Sequence, residues 1–254
     1  MPPITGQSVL IIGASSGIGF AVANLCLVEK MTVHIASSNS DKITKAADGS
    51  SNPSQTKKIT SHVCALGGSD NEAKLTKTLV EATSDGKKLD HIIVTAGDTS
   101  GLVATSQVTQ RLLETATSAR VLSLMLLAKL VPSYLKPHWT SSLTFTGGAV
   151  GEKPMADYAY ASFFAGGLHP FARSLALEMA PIRVNVVSPG ATETEMWGAE
   201  GSEMRKAIRE GVVKKALLGK AGSAEEVAEA YVYLLRDTNA TGVNVGSNGG
   251  VTCQ

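Results

Sequence analysis

The sequence predicts one α/β domain, built on a mostly parallel sheet with helices on both faces. Three observations lead to this class. The chain has 254 residues, a length that α/β folds often use for a single domain. Strand-like and helix-like segments alternate along its whole length, and the strand-like runs are short and apolar, as strands buried on both faces require. No linker or internal repeat interrupts the alternation, so residues 1–254 are predicted to form a doubly wound, seven-stranded sheet in one domain.

The individual elements follow in order along the chain. Strands are predicted at residues 8–12, 32–36, 61–66, 89–94, 142–146, 183–187 and 243–245. Helices are predicted at residues 20–29, 71–83, 108–135, 159–179 and 224–236. Ser223 precedes the last helix and Glu226 follows three positions on, which is the pattern of a capping box. Residues 37–57 are predicted as a loop, and residues 192–222 as a longer loop that contains Trp197 and a charged helical piece.

Composition excludes several classes of partner. The net charge is +1 and no block of like charges occurs, which argues against nucleic acid and membrane surfaces as partners. No apolar run approaches the ~20 residues that span a bilayer, and no signal peptide is visible at the N-terminus. Cys26, Cys64 and Cys253 are too widely spaced for a disulfide framework or a metal site, so no metal is expected. These features predict a protein of the reducing cytoplasm whose partner is a small molecule.

A glycine-rich turn follows the first strand and carries the clearest functional signal. It reads Gly13-Ala14-Ser15-Ser16-Gly17-Ile18-Gly19. Gly13 provides the sharp turn, Gly17 lets backbone N–H groups approach a phosphate, and Gly19 lets the helix pack closely on the strand. The N-terminus of the following helix adds the positive end of a dipole. A glycine turn can also occur with no ligand, but its place between a buried strand and a helix predicts a Rossmann fold that binds the pyrophosphate of a dinucleotide.

The end of the second strand indicates which dinucleotide is bound. An Asp or Glu at this point would hydrogen-bond the ribose 2′-OH of NAD. The sequence instead has Ser37, Ser38 and Asn39, with Lys42 close behind. Hydroxyl groups, an amide and a cation suit a 2′-phosphate, which favours NADP(H). The alternative is that Ser38 and Asn39 only form a turn and that Lys42 is solvated.

Several segments resemble the short-chain dehydrogenase/reductase family. The glycine spacing Gly-x-x-x-Gly-x-Gly is its fingerprint, and the segments 89–97, 182–190, 224–228 and 241–250 resemble further motifs of the family along the whole chain. The resemblance implies an oxidoreductase that forms homodimers or homotetramers through its two long helices. It also implies a set of cofactor contacts: Gly13, Ser15, Ser16, Gly17, Ile18, Gly19, Ser37, Ser38, Asn39, Ala65, Leu66, Ala96, Gly97, Pro189, Gly190, Thr192 and Thr194.

The family's catalytic Asn, Ser, Tyr and Lys are not found at their expected places. Gly147 takes the Ser position, directly after Thr146. Three registers are open for the Tyr-x-x-x-Lys pair, namely Tyr160 with Phe164, Tyr158 with Ser162, and Ala161 with Ala165. None of them supplies the Lys, and the Asn position falls on Arg120 or Ala119. A phenol without a neighbouring cation keeps a pKa near ~10 and is a poor proton donor at neutral pH, so ordinary carbonyl reduction is doubtful.

The altered pattern resembles a divergent fungal branch of the family. This branch comprises the NADPH-dependent reductases of prenylated indole alkaloid pathways, with malbrancheamide- and paraherquamide-type reductase/Diels–Alderases and citrinadin-type Michaelases. The resemblance implies catalytic roles for Arg120, Asp157 and Tyr160. Three other interpretations stay open: Asp157 caps the following helix, Arg120 is a surface residue, and Tyr160 only packs.

The function expected on this basis is NADPH-dependent reduction of an imine or iminium in a polycyclic, aromatic substrate, together with control of its cyclisation. Trp197 in the predicted loop is a candidate cover for such a substrate. One alternative is a protein that binds NADP(H) and has lost catalysis. The other is an ordinary carbonyl reductase that uses Tyr160 with an unusual cation such as Lys153.

Overall fold

A seven-stranded parallel sheet forms the centre of the computed structural model, which describes residues 2–49, 59–97 and 103–253. Its strand order is β3-β2-β1-β4-β5-β6-β9, and every neighbouring pair is parallel. The strands of this sheet are β1 (Ser8–Ile12), β2 (Thr32–Ser37), β3 (Thr60–Val63), β4 (His91–Val94), β5 (Ser142–Thr146), β6 (Arg183–Pro189) and β9 (Asn244–Ser247). Two short strands, β7 (Thr192–Glu193) and β8 (Gly222–Ser223), pair separately. The predicted Rossmann architecture is confirmed.

Helices cover both faces of the sheet, as the alternation predicts. They are α1 (Gly17–Val28), α2 (Ser40–Gly49), α3 (Asn71–Ala82), α4 (Gln110–Thr117), α5 (Ser123–Tyr134), α6 (Ala159–Glu178), α7 (Glu203–Lys215) and α8 (Ala224–Arg236). On β1, Val9 and Ile11 pack with α1, α2 and α8, whereas Leu10 and Ile12 pack with α3, α5 and α6. Successive side chains of a strand point to opposite faces, so an apolar strand buries both.

One region differs from the sequence-based prediction. The loop predicted at residues 37–57 contains α2, so the prediction is wrong for residues 40–49, while residues 50–58 lie outside the described chain. Only Ile43 and Ala46 of α2 are buried, and most of its other residues are Ser, Thr, Lys, Asp and Gly, a composition that is typical of a loop. The Asn39 side chain accepts a hydrogen bond from the Lys42 N–H at 2.8 Å and so caps the helix. The charged helical piece predicted within residues 192–222 is confirmed as α7.

The long helix predicted at residues 108–135 is a continuous rod with a π-helical turn at its centre, Ser118–Leu122, between α4 and α5. The span Gln110–Tyr134 has 25 residues and a mean hydropathy of 1.2, so by length and composition alone it could cross a membrane. A single such helix is a weak indication, because core helices of globular proteins meet the same criterion. The same rod carries Arg120 at the π turn.

Candidate functional site

The site lies at the carboxyl edge of the sheet, where the strand order reverses. β1 lies between β2 and β4, so the connections after β1 and β4 leave on opposite sides and open a crevice. Residues that follow β1, β2, β3, β4 and β6 therefore meet at one edge. These include most of the predicted cofactor residues, from Gly13 through Ser37 and Ala65 to Ala96 and Pro189.

The glycine turn has the close packing that the sequence predicts. Gly13 has φ +100°, and a Cβ there would lie 2.2 Å from the backbone nitrogen of Ala96. A Cβ on Gly19 would lie 2.4 Å from Thr95 Oγ1, which donates to the Gly13 carbonyl at 3.1 Å. Ser16 is the extended N-cap residue of α1, and its side chain makes no capping hydrogen bond within the described chain. The first N–H groups of α1 are therefore available to an anionic group such as a pyrophosphate.

The end of β2 forms a polar corner next to this turn. Ser15 Oγ and Ser37 Oγ are 2.8 Å apart, which joins the glycine turn to the end of β2. Ser38 and Lys42 are exposed, and α2 begins at this point with its N-terminus beside them. Asp41 lies in the first turn of α2, and its carboxylate accepts a hydrogen bond from the Ser40 hydroxyl. The corner thus combines a helix N-terminus, hydroxyl groups and a lysine, which are the groups that bind phosphate.

A cavity of about 920 Å³ opens from the crevice. Its size lies in the range of pockets for small molecules and cofactors. The predicted cofactor residues that line it are Ile18, Ala96, Gly97, Pro189, Gly190, Thr192 and Thr194. Met196 and Trp197 line it from the segment between β7 and α7, so Trp197 does face the space where a substrate would lie. The remaining wall is largely apolar, which indicates a ligand with a large hydrocarbon surface.

One face of α6 forms a wall of the cavity and shows which register the chain adopts. Tyr158, Ala161, Ala165 and Leu168 line the cavity at helical spacing, with Phe164 at the edge of the stripe. Of the three pairs that the sequence left open, Ala161 with Ala165 is the pair with both members in the described lining. Tyr160 and Ser162, each a member of another pair, are outside it. Tyr158, which the sequence analysis considered only as a partner of Ser162, lines the cavity at i, i+3, i+7 spacing with the two alanines.

The position of the family's catalytic Ser is equally changed. Gly147 lines the cavity, and a Cβ there would lie 3.0 Å from Ser188 Oγ and 3.1 Å from Val186 Cγ1. The neighbouring Thr146 cannot replace the missing hydroxyl. Its Oγ1 donates to the Val94 carbonyl at 2.6 Å and lies 2.6 Å from the Tyr231 hydroxyl. The chain therefore lacks a free hydroxyl at this point of the described wall.

Arg120 lines the cavity from the π-helical turn, together with Ala119. A π turn leaves one carbonyl without its usual helical partner, and such turns occur frequently at functional sites. Here the carbonyl of Ser118 accepts from Ser123 Oγ at 2.9 Å and from Asn71 Nδ2 at 3.4 Å. Asn71 is buried and also donates to Ser123 Oγ at 2.7 Å. This network holds the π turn in place. Arg120, which the turn carries, faces the cavity and is not a surface residue.

Asp157 and Tyr160 are placed differently from Arg120. Asp157 is exposed, with φ +65°, and is outside the set of described residues that line the cavity. It does not cap α6 either, since the N-cap residue is Tyr158 and makes no side-chain capping bond. Tyr160 is half-buried and also outside that set, because each residue of a helix turns by about 100° and the cavity stripe runs through Tyr158 and Ala161. The expectation that all three residues meet in one pocket is not met in this geometry.

The charged groups of the described wall are mostly cationic. Besides Arg120, the lining includes Lys153 and Lys215, while Lys220 pairs with Glu226, which also serves the capping box of α8. A guanidinium in a partly desolvated wall binds the oxygen of a carbonyl or carboxylate well. The wall therefore provides donors for an electron-rich oxygen on an otherwise apolar ligand.

Comparison with known proteins agrees with this geometry. The family model of the SDR-like Rossmann domain matches residues 3–253. The short-chain dehydrogenase/reductase ATR9 of Stachybotrys chlorohalonatus is 42% identical over 257 residues, covering 100% of both chains. The short-chain dehydrogenase/reductase malC of Malbranchea aurantiaca is 33% identical over 251 residues, covering 98% of this chain and 95% of its own.

Solved structures give the same result. The MalC reductase/Diels-Alderase from Malbranchea aurantiaca has a TM-score of 0.91 at 34% identity, with 98% of this chain and 97% of the other covered. A small-chain dehydrogenase in complex with NADPH has a TM-score of 0.77 at 25% identity, with 98% and 100% covered. The sheet order, the glycine turn and these similarities extend over the whole domain. The chain therefore belongs to the short-chain dehydrogenase/reductase family and is an oxidoreductase of that type, with a Rossmann fold that binds a nicotinamide cofactor.

Proposed function

We propose that the protein is an NADP(H)-dependent reductase of fungal secondary metabolism. Its substrate would be an imine or iminium in a polycyclic prenylated indole alkaloid, whose cyclisation of Diels–Alder or Michael type it also directs. One observation carries this proposal: a dinucleotide crevice opens into a large apolar cavity where Gly147, Ala161 and Ala165 replace the family's catalytic side chains. The similarity to a protein named as a reductase/Diels-Alderase supports it.

The polar corner at the end of β2 supports NADP(H) as the cofactor. Ser38 and Lys42 are exposed beside the N-terminus of α2, where a 2′-phosphate would meet hydroxyl, amide and ammonium donors. The structural similarity to a dehydrogenase that is named as an NADPH complex is in line with this choice.

The substitution Ser38→Asp tests the cofactor proposal. A carboxylate at this exposed position would repel a 2′-phosphate, so the Kd for NADPH is expected to rise roughly tenfold, about 1.4 kcal/mol. The Kd for NADH is expected to stay the same or fall. Fluorescence titration of both cofactors measures this. The control is Thr44→Asp, which places the same charge at an exposed position in the second turn of α2. Equal weakening by both variants would contradict a phosphate contact at Ser38.

The missing proton relay explains why a C=N bond suits this cavity better than a ketone. When bound, the nicotinamide ring supplies a hydride. Reduction of a ketone also needs a proton on the oxygen, which Tyr and Lys normally provide. An iminium already carries its charge and needs no such donor at the reacting atom. A cavity with Ala161 and Ala165 in place of Tyr and Lys can therefore serve an iminium and serves a ketone poorly.

Arg120 and Tyr158 are the polar groups of the wall that we assign to the substrate. The Arg120 guanidinium would hold a carbonyl oxygen of the polycyclic ring system and so orient the C=N carbon. Tyr158 lines the cavity beside the alanine stripe, and its hydroxyl would share that task. Asp157, exposed beside Tyr158, would act as a counter-ion for the cationic substrate, and Tyr160 would pack at the edge.

The apolar wall supports the role in cyclisation. A prenyl chain has many conformers in water, and a cavity that folds it over the reduced ring removes most of that entropy before the bond forms. Aromatic and aliphatic groups that provide such contacts come from α6, through Phe164 and Leu168, and from the segment before α7, through Trp197. Diels–Alder and Michael closures both benefit from this confinement, and the choice between them depends on the substrate.

The test is a single-turnover experiment with NADPH deuterated at the transferred position. A cyclic imine and a ketone of the same ring skeleton are offered separately. Deuterium is expected in the amine product and not in an alcohol. Reduction of the ketone alone would show an ordinary carbonyl reductase. No transfer to any electrophile, with NADPH still bound, would show a binding protein that has lost catalysis.

Asp157→Asn separates the proposed reaction from carbonyl reduction. With the counter-ion removed, kcat/KM for the imine is expected to fall roughly tenfold, a modest loss because the exposed charge is screened by water. Tyr160→Phe is the matched control and is expected to stay within about twofold. Steady-state kinetics on the imine measures both. A large loss with Tyr160→Phe and none with Asp157→Asn would favour the alternative in which Tyr160 and Lys153 reduce a carbonyl.

We also propose a homodimer or homotetramer in the cytoplasm. Phe163 and Leu177, on neighbouring sides of α6, are 74% and 84% exposed, and Met125 of α5 is 51% exposed. A second copy of the chain would cover these apolar groups. Light scattering that gave the mass of a monomer would contradict this assembly.

All three cysteines are free thiols, as a reducing compartment allows, and imaging of a tagged protein tests the location.

A further inference from the structure

Helix α7 forms the outer wall of the cavity without an anchor in the core. None of its 13 residues is buried. Five of them nevertheless line the cavity: Ala207, Ile208, Gly211, Val212 and Lys215. An element with few buried apolar groups opens at low free-energy cost. Something other than apolar packing must therefore hold this wall in place.

The contacts that hold α7 converge on one carboxylate, that of Glu193 on β7. It accepts hydrogen bonds from Arg205 Nε at 2.9 Å and from Arg209 Nε at 2.8 Å, and a second nitrogen of Arg209 completes a two-pronged contact. Arg205 and Arg209 are one helical turn apart, so both reach the same point. The side chains of Glu193 and Arg205 are 19% and 18% exposed, whereas Arg209, which makes the two-pronged contact, is 53% exposed. A two-pronged contact between guanidinium and carboxylate is stronger than a single hydrogen bond.

Glu193 is itself firmly placed. It lies between Thr192 and Thr194, which both line the cavity, and β7 pairs with β8 through Thr192 with Gly222 and Glu193 with Ser223. A Cβ on Gly17 would lie 3.1 Å from Thr194 Cγ2, so the strand that carries Glu193 packs on the phosphate-binding turn. The carboxylate therefore connects the floor of the cofactor crevice to the helix that closes the cavity.

We infer that Glu193 is a positioning residue that holds α7 over the cavity through Arg205 and Arg209 and thereby sets the affinity for the substrate. The inference concerns a residue that does not touch the reacting atoms. It rests on the proposed function in one respect, that this cavity holds the substrate. Hydrogen bonding from Arg209, and then from Arg205, keeps the pKa of Glu193 below its usual range, so the carboxylate is charged at neutral pH.

Limited trypsin digestion of the NADPH-loaded enzyme tests whether Glu193 holds α7. The helix contains five cleavage sites, Arg205, Lys206, Arg209, Lys214 and Lys215, and variants at Glu193 leave all of them in place. Glu193→Ala is expected to raise the cleavage rate within α7 roughly tenfold, with Glu193→Gln intermediate because the amide keeps one acceptor. Tm is expected to change little, since α7 buries no residue.

Kinetics on the imine substrate supplies the second readout. Glu193→Ala is expected to raise KM roughly tenfold and to leave kcat within about twofold, the pattern of lost uniform binding. The control is Glu203→Gln, which removes an exposed carboxylate of α7 that pairs with Lys206 of the same helix. An unchanged cleavage rate would overturn the inference. If no imine is reduced at all, the proposed function fails, and the digestion still decides the role of Glu193.

Discussion

Replacement of Arg120 by Met is expected to lower kcat/KM for reduction by roughly 100- to 1000-fold, the usual effect of removing one preorganised donor from an active site. Arg120 is the guanidinium that the π-helical turn brings into the cavity wall. Arg120→Lys is expected to recover only part of the rate, since an ammonium cannot hold an oxygen with two parallel hydrogen bonds. Steady-state kinetics and NADPH titration measure the rate and the cofactor affinity separately.

The matched control for this prediction is Lys129→Met. Lys129 is an exposed cation on α5, the continuation of the same helical rod. Its Nζ lies 2.7 Å from Glu72 Oε1, and it is outside the described lining of the cavity. Its loss is expected to leave kcat/KM within about twofold, as for most exposed pairs. An Arg120→Met enzyme that binds NADPH normally and keeps most of its rate would show that the guanidinium has no part in the reaction.

Gly13→Ala is expected to weaken NADPH binding by more than about 100-fold and to lower the free energy of unfolding by about 3 kcal/mol. The added Cβ would lie 2.2 Å from the nitrogen and 2.5 Å from the Cα of Ala96, and backbone atoms cannot move aside as a side chain can. The φ of +100° adds strain for any residue with a Cβ. Denaturant unfolding and fluorescence titration measure the two effects.

Gly6→Ala separates backbone strain from steric overlap in this prediction. Gly6 also has a positive φ, +80°, but a Cβ there meets no atom within 4 Å in the described chain. Its replacement is expected to cost about 1 kcal/mol of stability and to leave NADPH binding unchanged. If Gly13→Ala behaved like Gly6→Ala in both measurements, the close approach at Ala96 would not be needed for the cofactor crevice.

The fold and the cofactor crevice could be predicted because their signals are local in sequence. A strand buried on both faces must be apolar at successive positions, as Val9 to Ile12 are. The turn that follows needs glycine where a Cβ would strike the backbone, as at Gly13. Helix α2 escaped prediction for the opposite reason. It buries only Ile43 and Ala46, and its polar, Gly-containing sequence has the composition of a loop.

The arrangement of the catalytic face needed the tertiary structure. The sequence showed that a Lys was missing and left three registers open, and only the packing of α6 against the cavity brought Ala161, Ala165 and Tyr158 into the wall. The π turn at Ser118 to Leu122 depends on the buried Asn71, 47 residues away from Ser118, and no local pattern reveals such a contact. The same holds for the position of Asp157 outside the described cavity lining.

The sequence by itself determined that this protein is a Rossmann-fold oxidoreductase with a dinucleotide turn and without the usual proton relay. Those properties follow from which residues are present and from backbone requirements over a few positions. Only the tertiary structure decided which side chains face the substrate and what holds the outer wall, since both depend on helix rotation and on contacts between distant segments. Arg120 on its π turn and Glu193 beneath α7 are the two residues whose roles arise in this way.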